Sequence, residues 1–435
     1  MRTLFGAGVC LLISSLLASA SNISGTVVDA ETGKPVGGAI VTVGSTVVHA
    51  DNAGKFKMER AGQLIQARAY GYGRTELALD GKPVELRLKS ISPRAVYLSY
   101  WGVGTASVRE PVLKLAESTP VNAVVIDVKG DLGQLSFKTG VPLAAEIGAQ
   151  RINTVPDIHA LLDRLHKQGF YAIGRIVTFK DNVLCTARPE WAVRRDGKPF
   201  KDHEGLAWCD PFVPEVRNYN ADLGVEAAKA GFDEIEFDYV RFPDTKGVQF
   251  SQPSTDESRS KTITAFLSEA RQKLIPYNVF LAADVFGYIC WNKGDTGIGQ
   301  RINDVAAVLD YISPMLYPSG FSFGIPNYRN PVEHPYEIVR LTLDRAAERA
   351  QIEPVRFRPW LQAFADYAFD KRQFGSKEIQ AQIAAAQDFG SDGWLLWNPR
   401  NVYQAEAIRK SARVSVSESR ASLRETGESG TSKVR

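Results

Sequence analysis

The chain has 435 residues, of which 44% are hydrophobic, 10% aromatic and 23% charged. This composition is typical of globular proteins and argues against a collagen-like, wholly disordered or rod-like coiled-coil chain. The 52 Lys and Arg residues nearly balance the 49 Asp and Glu residues, so the charge gives no support for nucleic acid as a partner. At this length we expect two domains, one of them large enough to bury a substantial core.

Residues 1–20 have the pattern of a signal peptide for export. One basic residue, Arg2, precedes a short apolar stretch, and Ala18, Ser19 and Ala20 form an A-x-A cleavage site. An uncleaved N-terminal anchor is the alternative, but the stretch is short for a membrane helix. We therefore expect a periplasmic or secreted protein with no stable membrane insertion after signal cleavage.

Residues 21–91 predict a small all-β sandwich, because short runs rich in Val, Ile and Thr alternate there with turn residues. The predicted strands are 23–28, 39–43, 46–49, 55–58, 64–69, 77–79 and 84–88. The strings ISGTVVDAETGKPVGGAIVTV, ADNAGKF and ARAYGYG resemble the carboxypeptidase-regulatory-like module. That resemblance implies an accessory role and no chemistry.

Residues 92–410 change to a rhythm of strand, loop and helix. Eight strands are predicted, at 95–100, 123–128, 171–177, 234–240, 279–285, 311–316, 356–363 and 393–397. The main helices expected between them are 108–117, 158–168, 214–230, 256–274, 298–309, 336–350 and 377–389, with a last one at 403–410. Eight alternations predict an α/β fold, the (β/α)8 TIM barrel. A doubly wound sheet is the competitor, but the first strand lacks a complete G-x-G-x-x-G turn.

Residues 411–435 are rich in serine and charge and contain no aromatic residue, so we predict a disordered tail. The mature chain would keep Cys185, Cys209 and Cys290. Cys185 and Cys209 flank a long insertion and are either a disulfide or two buried thiols. No C-x-x-C or H-E-x-x-H occurs and the histidines are scattered, so we predict no metal site and no cofactor.

Two carboxylates at predicted strand ends are the catalytic candidates. In TIM barrels the catalytic groups project from the carboxyl ends of the strands. Asp238 ends the fourth predicted strand and Asp284 lies in the fifth, so their side chains can reach the separation that glycosidic bond cleavage requires. We assign Asp238 as nucleophile and Asp284 as general acid/base.

Neighbouring polar residues are predicted to bind substrate or tune these acids. Asp127 and Lys129 share a face of the second predicted strand, and Glu236 and Arg241 accompany Asp238. Their charges could hold one acid ionised and the other protonated. The alternative is a structural network in which the acids pair with Lys129, Arg175 and Arg241.

Aromatic side chains at strand ends favour a sugar substrate, because the apolar face of a sugar ring stacks on them. We predict contacts from Trp101, Trp208, Tyr317 and Trp397, and from Gln362 at the end of the seventh strand. Several of these rings could instead fill the barrel.

The strings NAVVIDVKGDLGQLSF, GLAWCDPFVPEVRNY, GFDEIEFDYVRFP, LAADVFGY and ISPMLYPSGF together resemble the glycosyl-hydrolase-like barrel family that began as a domain of unknown function. The resemblance covers about Pro93–Lys410 and implies a (β/α)8 glycosidase, distantly related to the α-amylase superfamily. By that analogy Asp238 matches the nucleophile position and Asp284 the acid/base position, where α-amylase-type enzymes carry Glu. Their third carboxylate has only Asp366 as a loose match.

Three functions follow from these observations. The first is an exported glycoside hydrolase acting on a cell-envelope or extracellular polysaccharide or oligosaccharide. The second is a catalytically weak carbohydrate-binding protein on a barrel scaffold. The third is an amidase or deacetylase acting on glycans, which the scattered histidines and the absence of a G-x-S-x-G elbow do not support.

Overall fold

The computed structural model describes residues 22–60, 62–80 and 83–409. The predicted signal peptide and tail lie outside these residues. The chain divides into two compact units between Ile91 and Ser92, and the two units have separate hydrophobic cores.

The first unit is built from seven strands in two sheets. They are β1 (Asn22–Asp29), β2 (Ile40–Val43), β3 (Thr46–His49), β4 (Lys55–Glu59), β5 (Leu64–Arg68), β6 (Thr75–Ala78) and β7 (Val84–Leu88). One sheet has the order β4-β1-β7 and the other β3-β2-β5-β6. All pairs are antiparallel except β1 with β7. Val27, Val41, Ile65 and Leu86 fill the core between them, so the predicted all-β fold of this unit is confirmed.

The second unit is a closed barrel of eight parallel strands, which confirms the predicted TIM barrel. Its strands are β8 (Arg94–Leu98), β9 (Ala123–Lys129), β10 (Tyr171–Val177), β13 (Glu234–Asp238), β14 (Phe280–Phe286), β15 (Tyr311–Met315), β16 (Trp360–Gln362) and β17 (Trp394–Trp397). Between β10 and β13, the short pair β11 (Arg194–Arg195) and β12 (Lys198–Pro199) forms a hairpin. The barrel strands are buried on both faces, which is why their sequences are nearly continuous apolar runs.

Helices follow the strands around the barrel. They are α1 (Tyr100–Gly104), α2 (Ala106–Leu113), α3 (Pro142–Glu146), α4 (Ile158–Lys167), α5 (Asn182–Ala187), α6 (Pro214–Ala230), α7 (Asp256–Leu274), α8 (Ile302–Ala306), α9 (Pro335–Ala350), α10 (Ser376–Phe389) and α11 (Ala405–Ile408).

None of the helices in the described residues is both long and apolar enough to cross a bilayer.

The helix predicted at 298–309 is shorter than expected. Gly297 and Gly299 adopt positive φ angles, and their N–H groups donate to the side chain of Asp295. This turn occupies the first residues of the predicted helix, so α8 begins only at Ile302.

Residues 178–213 form an ordered insertion between β10 and α6. It contains α5 and the β11–β12 hairpin, and its side chains Val193, Phe200 and Trp208 are buried in the core of the barrel unit. The insertion is therefore a fixed part of the barrel mouth.

Candidate active site

Arg175 is the centre of the polar cluster at the mouth of the barrel. It projects from β10 and is 1% exposed. Its Nη1 donates to Asp127 Oδ1 at 2.7 Å, and its Nε and Nη2 donate to Asp238 Oδ2 at 2.9 and 2.6 Å. Nη2 also contacts Asp131 Oδ1 at 3.2 Å. One guanidinium thus connects acids from two flanking strands.

Asp238 and Asp284 lie at the same level of neighbouring strands. Phe237 of β13 pairs with Ala283 of β14, and the two acids are the next residues along each strand. Arg175 Nε lies 2.9 Å from Asp238 Oδ2 and 4.0 Å from Asp284 Oδ2. These two oxygens are therefore no more than about 7 Å apart, which does not exceed the ~5–9 Å separation of the carboxyl groups in glycosidases.

Asp238 is held from both sides. In addition to Arg175 at Oδ2, its Oδ1 accepts the backbone N–H of Tyr239 at 2.5 Å. Tyr239 has a φ of 48°, a left-handed conformation that is uncommon for an aromatic residue. The strand ends at this turn, which presents the Asp238 carboxylate to the cavity.

Asp284 is a buried carboxyl that favours its protonated form. Its Oδ1 accepts the Trp360 Nε1–H at 2.6 Å. Burial, followed by the neighbouring Glu236 and Asp238, raises its pKa well above the usual range. A carboxyl that keeps its proton near neutral pH can act as an acid.

Glu236 lies one layer deeper and is fully buried. It lies beside Asp284 and Ser313, and neither of its oxygens has a partner in regular hydrogen-bond geometry among the described residues. Burial and the nearby Glu234 raise its pKa to about 7. Glu236 therefore raises the pKa of Asp284 from a position beneath it, and it does not line the cavity.

Asp127 also lies beneath the cavity. Its Oδ2 accepts the Tyr97 hydroxyl at 2.7 Å and the Tyr100 N–H at 3.0 Å, opposite the Arg175 contact. Burial raises the pKa of Asp127 to about 6 although Arg175 opposes the shift. Its position suits orienting Arg175 better than contacting a substrate.

A cavity of about 250 Å³ opens above these acids. Asp131, Arg175, Asp238 and Asp284 contribute its polar wall. The remaining wall is largely aromatic: Tyr239, Phe286, Tyr288, Tyr317, Phe321, Trp360, Tyr367 and Trp397. Trp397 stacks on Tyr97 with ring centroids 4.0 Å apart, and the Arg175 guanidinium lies 4.9 Å from the Trp397 ring centroid. The cavity combines acids with flat apolar surfaces.

Two further cavities share residues with this one. The second, of about 560 Å³, lies against the insertion and shares Tyr239 and Arg241. The third, of about 500 Å³, lies beside β16 and β17 and shares Tyr367. The acid pair is therefore in the middle of three adjoining cavities.

Four of the predicted contacts line these cavities. Tyr317 and Trp397 line the first, Trp208 the second, and Arg241 both. Arg241 lies over the Trp208 ring at 4.8 Å and over the Tyr239 ring at 5.3 Å.

The structure places the other predicted contacts outside the cavities. Lys129 is fully buried, where its Nζ donates to Asp181 Oδ2 at 2.8 Å and to Asn220 Oδ1 at 2.6 Å. Gln362 is also fully buried and exchanges hydrogen bonds with Ser319. Trp101 is 57% exposed and lies edge-on to Tyr100, away from the cavity wall. Lys129 was predicted from strand alternation and Gln362 from its place at a strand end, and both side chains instead make hydrogen bonds inside the barrel unit.

Sequence reasoning missed several residues of the site. Tyr239 was counted as part of the strand, and no sequence signal marks its left-handed φ. Phe286 lines the cavity from the last position of β14, and Phe321 and Tyr367 line it from loops; aromatic residues at and after strand ends were the available signal. Arg175 was considered only as a pairing partner, although it holds two of the acids.

The described residues contain no group of three or more His, Cys, Asp or Glu side chains arranged to hold a metal ion. Cys185, Cys209 and Cys290 are buried free thiols, so the structure shows the thiol alternative for the first two. Burial raises the pKa of Cys290 to about 12, which keeps it protonated.

The chain is similar to several proteins of known structure. The glycoside hydrolase domain of PgaB (BpsB) from Bordetella bronchiseptica is 13% identical, with a TM-score of 0.54 over 72% of this chain and 95% of that one. A hypothetical protein from Ruminiclostridium thermocellum is 36% identical over 44% of this chain and 97% of that one, with a TM-score of 0.40. A GH18 chitinase from Pseudoalteromonas aurantia is 12% identical over 72% and 97%, with a TM-score of 0.44.

A search of the curated proteins finds no match. The family model described as "Putative glycosyl hydrolase domain" matches residues 95–403, which include every barrel strand except the first residue of β8. The match covers well over half of the chain. The protein therefore belongs to this glycosyl hydrolase family.

Proposed function

We propose that the protein is an exported glycoside hydrolase that cleaves a cell-envelope or extracellular polysaccharide with Asp238 and Asp284. The observation that carries the proposal is the placement of two carboxyl groups at one level of adjacent strands, one ion-paired with Arg175 and the other buried beside Glu236. Two carboxyls in unlike environments are what acid-assisted glycoside cleavage requires.

The unlike environments of Asp238 and Asp284 support one assignment of their catalytic roles. Asp284 donates its proton to the leaving glycosidic oxygen, while the Asp238 carboxylate attacks the anomeric carbon and forms a covalent glycosyl ester. Asp284, now ionised, takes a proton from water, and the resulting hydroxide-like oxygen releases the sugar from Asp238. Arg175 orients Asp238 through two hydrogen bonds, and Trp360 orients Asp284.

The three adjoining cavities support a polymer substrate. The acid pair occupies the middle cavity, and the outer two extend to the insertion on one side and to the loops after β16 and β17 on the other. A chain of sugars could thus occupy subsites on both sides of the bond that is cleaved. The aromatic walls provide stacking surfaces for these rings.

Export is proposed from the signal-peptide pattern of residues 1–20. The β unit of residues 21–91 is proposed to be a carboxypeptidase-regulatory-like accessory module without chemistry of its own, on the strength of its turn motifs and its all-β fold.

One observation favours a second candidate, a carbohydrate-binding protein with little activity. Both oxygens of Asp238 are occupied, one by Arg175 and one by the Tyr239 N–H. A nucleophile must present a lone pair to the anomeric carbon, and these hydrogen bonds lower its reactivity. The aromatic cavities would still bind sugar in such a protein.

The test is the release of new reducing ends from a panel of polysaccharides that includes α-glucans, amino-sugar polymers and uronic-acid polymers. Asp238→Asn and Asp284→Asn should each lower kcat by at least about a thousandfold, because each removes one of two groups that act together. Asp256→Asn is the matched control, since Asp256 is an exposed acid on α7. Thermal unfolding followed by circular dichroism checks that each variant is folded.

Hydrolysis that survives in a folded Asp238→Asn protein would overturn the site assignment. Retention of a polysaccharide by the wild type without any hydrolysis would favour the binding protein instead.

A further inference from the structure

Arg241 is a mostly enclosed guanidinium without a carboxylate partner. No acid of the described residues lies within ion-pair distance of it, and its Nη1 donates a hydrogen bond to the Phe242 carbonyl at 3.1 Å. Arginine has five N–H donors in a planar fork. Most of these donors are therefore available to a ligand in the cavities that Arg241 lines.

The two other buried arginines of the barrel are compensated by acids. Arg175 pairs with Asp127 and Asp238, and Arg358 pairs with Glu234 and Asp392. Burying a charge without a counter-ion is costly. In agreement, burial lowers the pKa of Arg241 even though Tyr239, Asp238, Asp244 and Asp202 oppose the shift, whereas the pKa values of Arg175 and Arg358 are raised by the acids that pair with them.

The second cavity adds positive charge around Arg241. Arg195 also lines it, donates to Thr245 Oγ1 and to the Lys246 carbonyl, and lies over the Phe200 ring at 4.6 Å. Lys180 is neutralised by Glu204 and Asp202. With Lys201, four Lys and Arg side chains line this cavity against the three acids Asp202, Glu204 and Asp244, and among the described residues neither guanidinium has a carboxylate within ion-pair distance.

The geometry fixes where an anionic group would lie. Trp208 and Tyr239 hold the guanidinium between the two cavities, with ring centroids 4.8 and 5.3 Å away. Asp238, on the same strand exit, lines the first cavity. A sugar unit that extends from the cleaved bond into the second cavity would pass Arg241, which lines both cavities.

We infer that Arg241 binds the carboxylate of an acidic sugar, a hexuronic acid, in the unit that occupies the second cavity. This rests on the proposed function and deepens it, because it names an acidic polysaccharide as the substrate class. Arginine suits this ligand since its fork matches the two oxygens of a carboxylate.

The experiment compares the retention of the full-length protein in native gels that contain polygalacturonate, alginate or hyaluronan with its retention by the carboxyl-reduced form of each polymer. Reduction keeps the linkages and removes only the charge. We expect at least one acidic polymer to retain the wild type and its reduced form to release it. Arg241→Gln should weaken that retention about tenfold to a hundredfold, the usual range for a hydrogen-bonded charge.

Two variants and one further polymer sharpen the result. Arg241→Lys keeps the charge but loses the fork, so its retention should be intermediate. Lys246→Gln removes a nearby exposed charge outside the cavity walls and should bind like the wild type. Dextran sulfate tests for general attraction to anions. If Arg241→Gln loses as much retention on dextran sulfate as on the acidic polysaccharide, the assignment to a carboxylate is overturned.

Retention that is the same for acidic and reduced polymers, or no retention on any acidic polymer, would overturn the inference. Hydrolysis of a neutral polymer would leave the proposed function in place while the inference fails. Charge-dependent retention without hydrolysis would support the inference and contradict the proposed function.

Discussion

Glu236 and Asp284 show how burial sets the chemistry of single residues. Both carboxyls are removed from water, so each favours its neutral form, and Glu236 raises the pKa of Asp284 further. Asp284 has access to the cavity and Glu236 does not. Under the proposed function, we expect Glu236 to be a positioning residue that helps keep Asp284 protonated.

A pH profile tests this role. In the proposed mechanism Asp284 acts while protonated, so activity should be present below its raised pKa and be lost as the pH rises through it. Glu236, with a pKa of about 7, is ionised on the alkaline side, so Glu236→Gln removes a negative neighbour there, lowers the pKa of Asp284 and should move the alkaline limb of kcat/KM to lower pH. Measuring kcat/KM from pH 5 to 9 gives the comparison. Glu257→Gln, at an exposed position on α7, is the control, and an alkaline limb that does not move in Glu236→Gln contradicts this role.

The residue scale is also where sequence reasoning was least complete. Asp238 and Asp284 could be selected because strand ends of a barrel carry the chemistry, and the structure brings them together. Lys129 could not be distinguished from a substrate contact, since its partners Asp181 and Asn220 come from an insertion and a helix far away in sequence. Which of several alternating polar residues finds an internal partner depends on packing that no local pattern encodes.

At the scale of elements, most barrel strands and long helices were predicted to within two residues at each end, whereas the seventh strand, predicted at 356–363, is only Trp360–Gln362. A strand in the barrel is a continuous apolar run ended by polar or turn residues, and β10 agrees with its prediction residue for residue. Helix boundaries depend on side-chain contacts, as the Asp295 turn before α8 shows. The helices α6 and α7 were predicted with their full bounds, because Pro214 and Thr255 mark their starts and Gly231 follows the end of α6.

The closure of the barrel between β17 and β8 gives a prediction at this scale. Gly393 has a φ of 81°, and a Cβ there would lie 1.8 Å from the Pro93 carbonyl oxygen. Gly393→Ala should therefore destabilise the barrel by more than the ~1–2 kcal/mol that a left-handed conformation costs by itself. Gly169→Ala is the control, since Gly169 has a φ of 83° with nothing within 4 Å of a Cβ.

The measurement is urea unfolding of both variants. Equal losses of unfolding free energy would show that the contact at Pro93 relaxes without cost and that closure is more adaptable than the geometry implies.

At the scale of the whole molecule, two separate cores define two units that should fold independently. Residues 92–435 expressed alone should unfold cooperatively and hydrolyse a soluble substrate with a kcat within about twofold of the full chain, because every group of the acid cluster lies in the barrel. Circular dichroism and initial rates provide the test. Aggregation of the isolated barrel, or a large loss of kcat, would show that the β unit supports the barrel.

The eight-stranded topology could be predicted because it follows from counting alternating elements. The shape of the mouth could not, since it is made by the insertion of residues 178–213 and by loop aromatics whose positions depend on contacts across the barrel. The two candidate acids lie on barrel strands, which the alternation of elements predicts. The outer cavities are formed by the insertion and the loops, which that alternation does not predict.

The pairing of Lys129 with Asp181 has a consequence for how the sequence can drift. Removing one partner of a buried ion pair leaves an uncompensated charge, which costs about 3–5 kcal/mol, whereas replacing both with apolar residues is often nearly neutral. Each position therefore constrains mutation at the other, although 51 residues lie in the sequence between Lys129, at the end of β9, and Asp181, just before α5. We expect relatives to carry both charges or neither, which makes the pair a covarying marker of how this insertion joins the barrel.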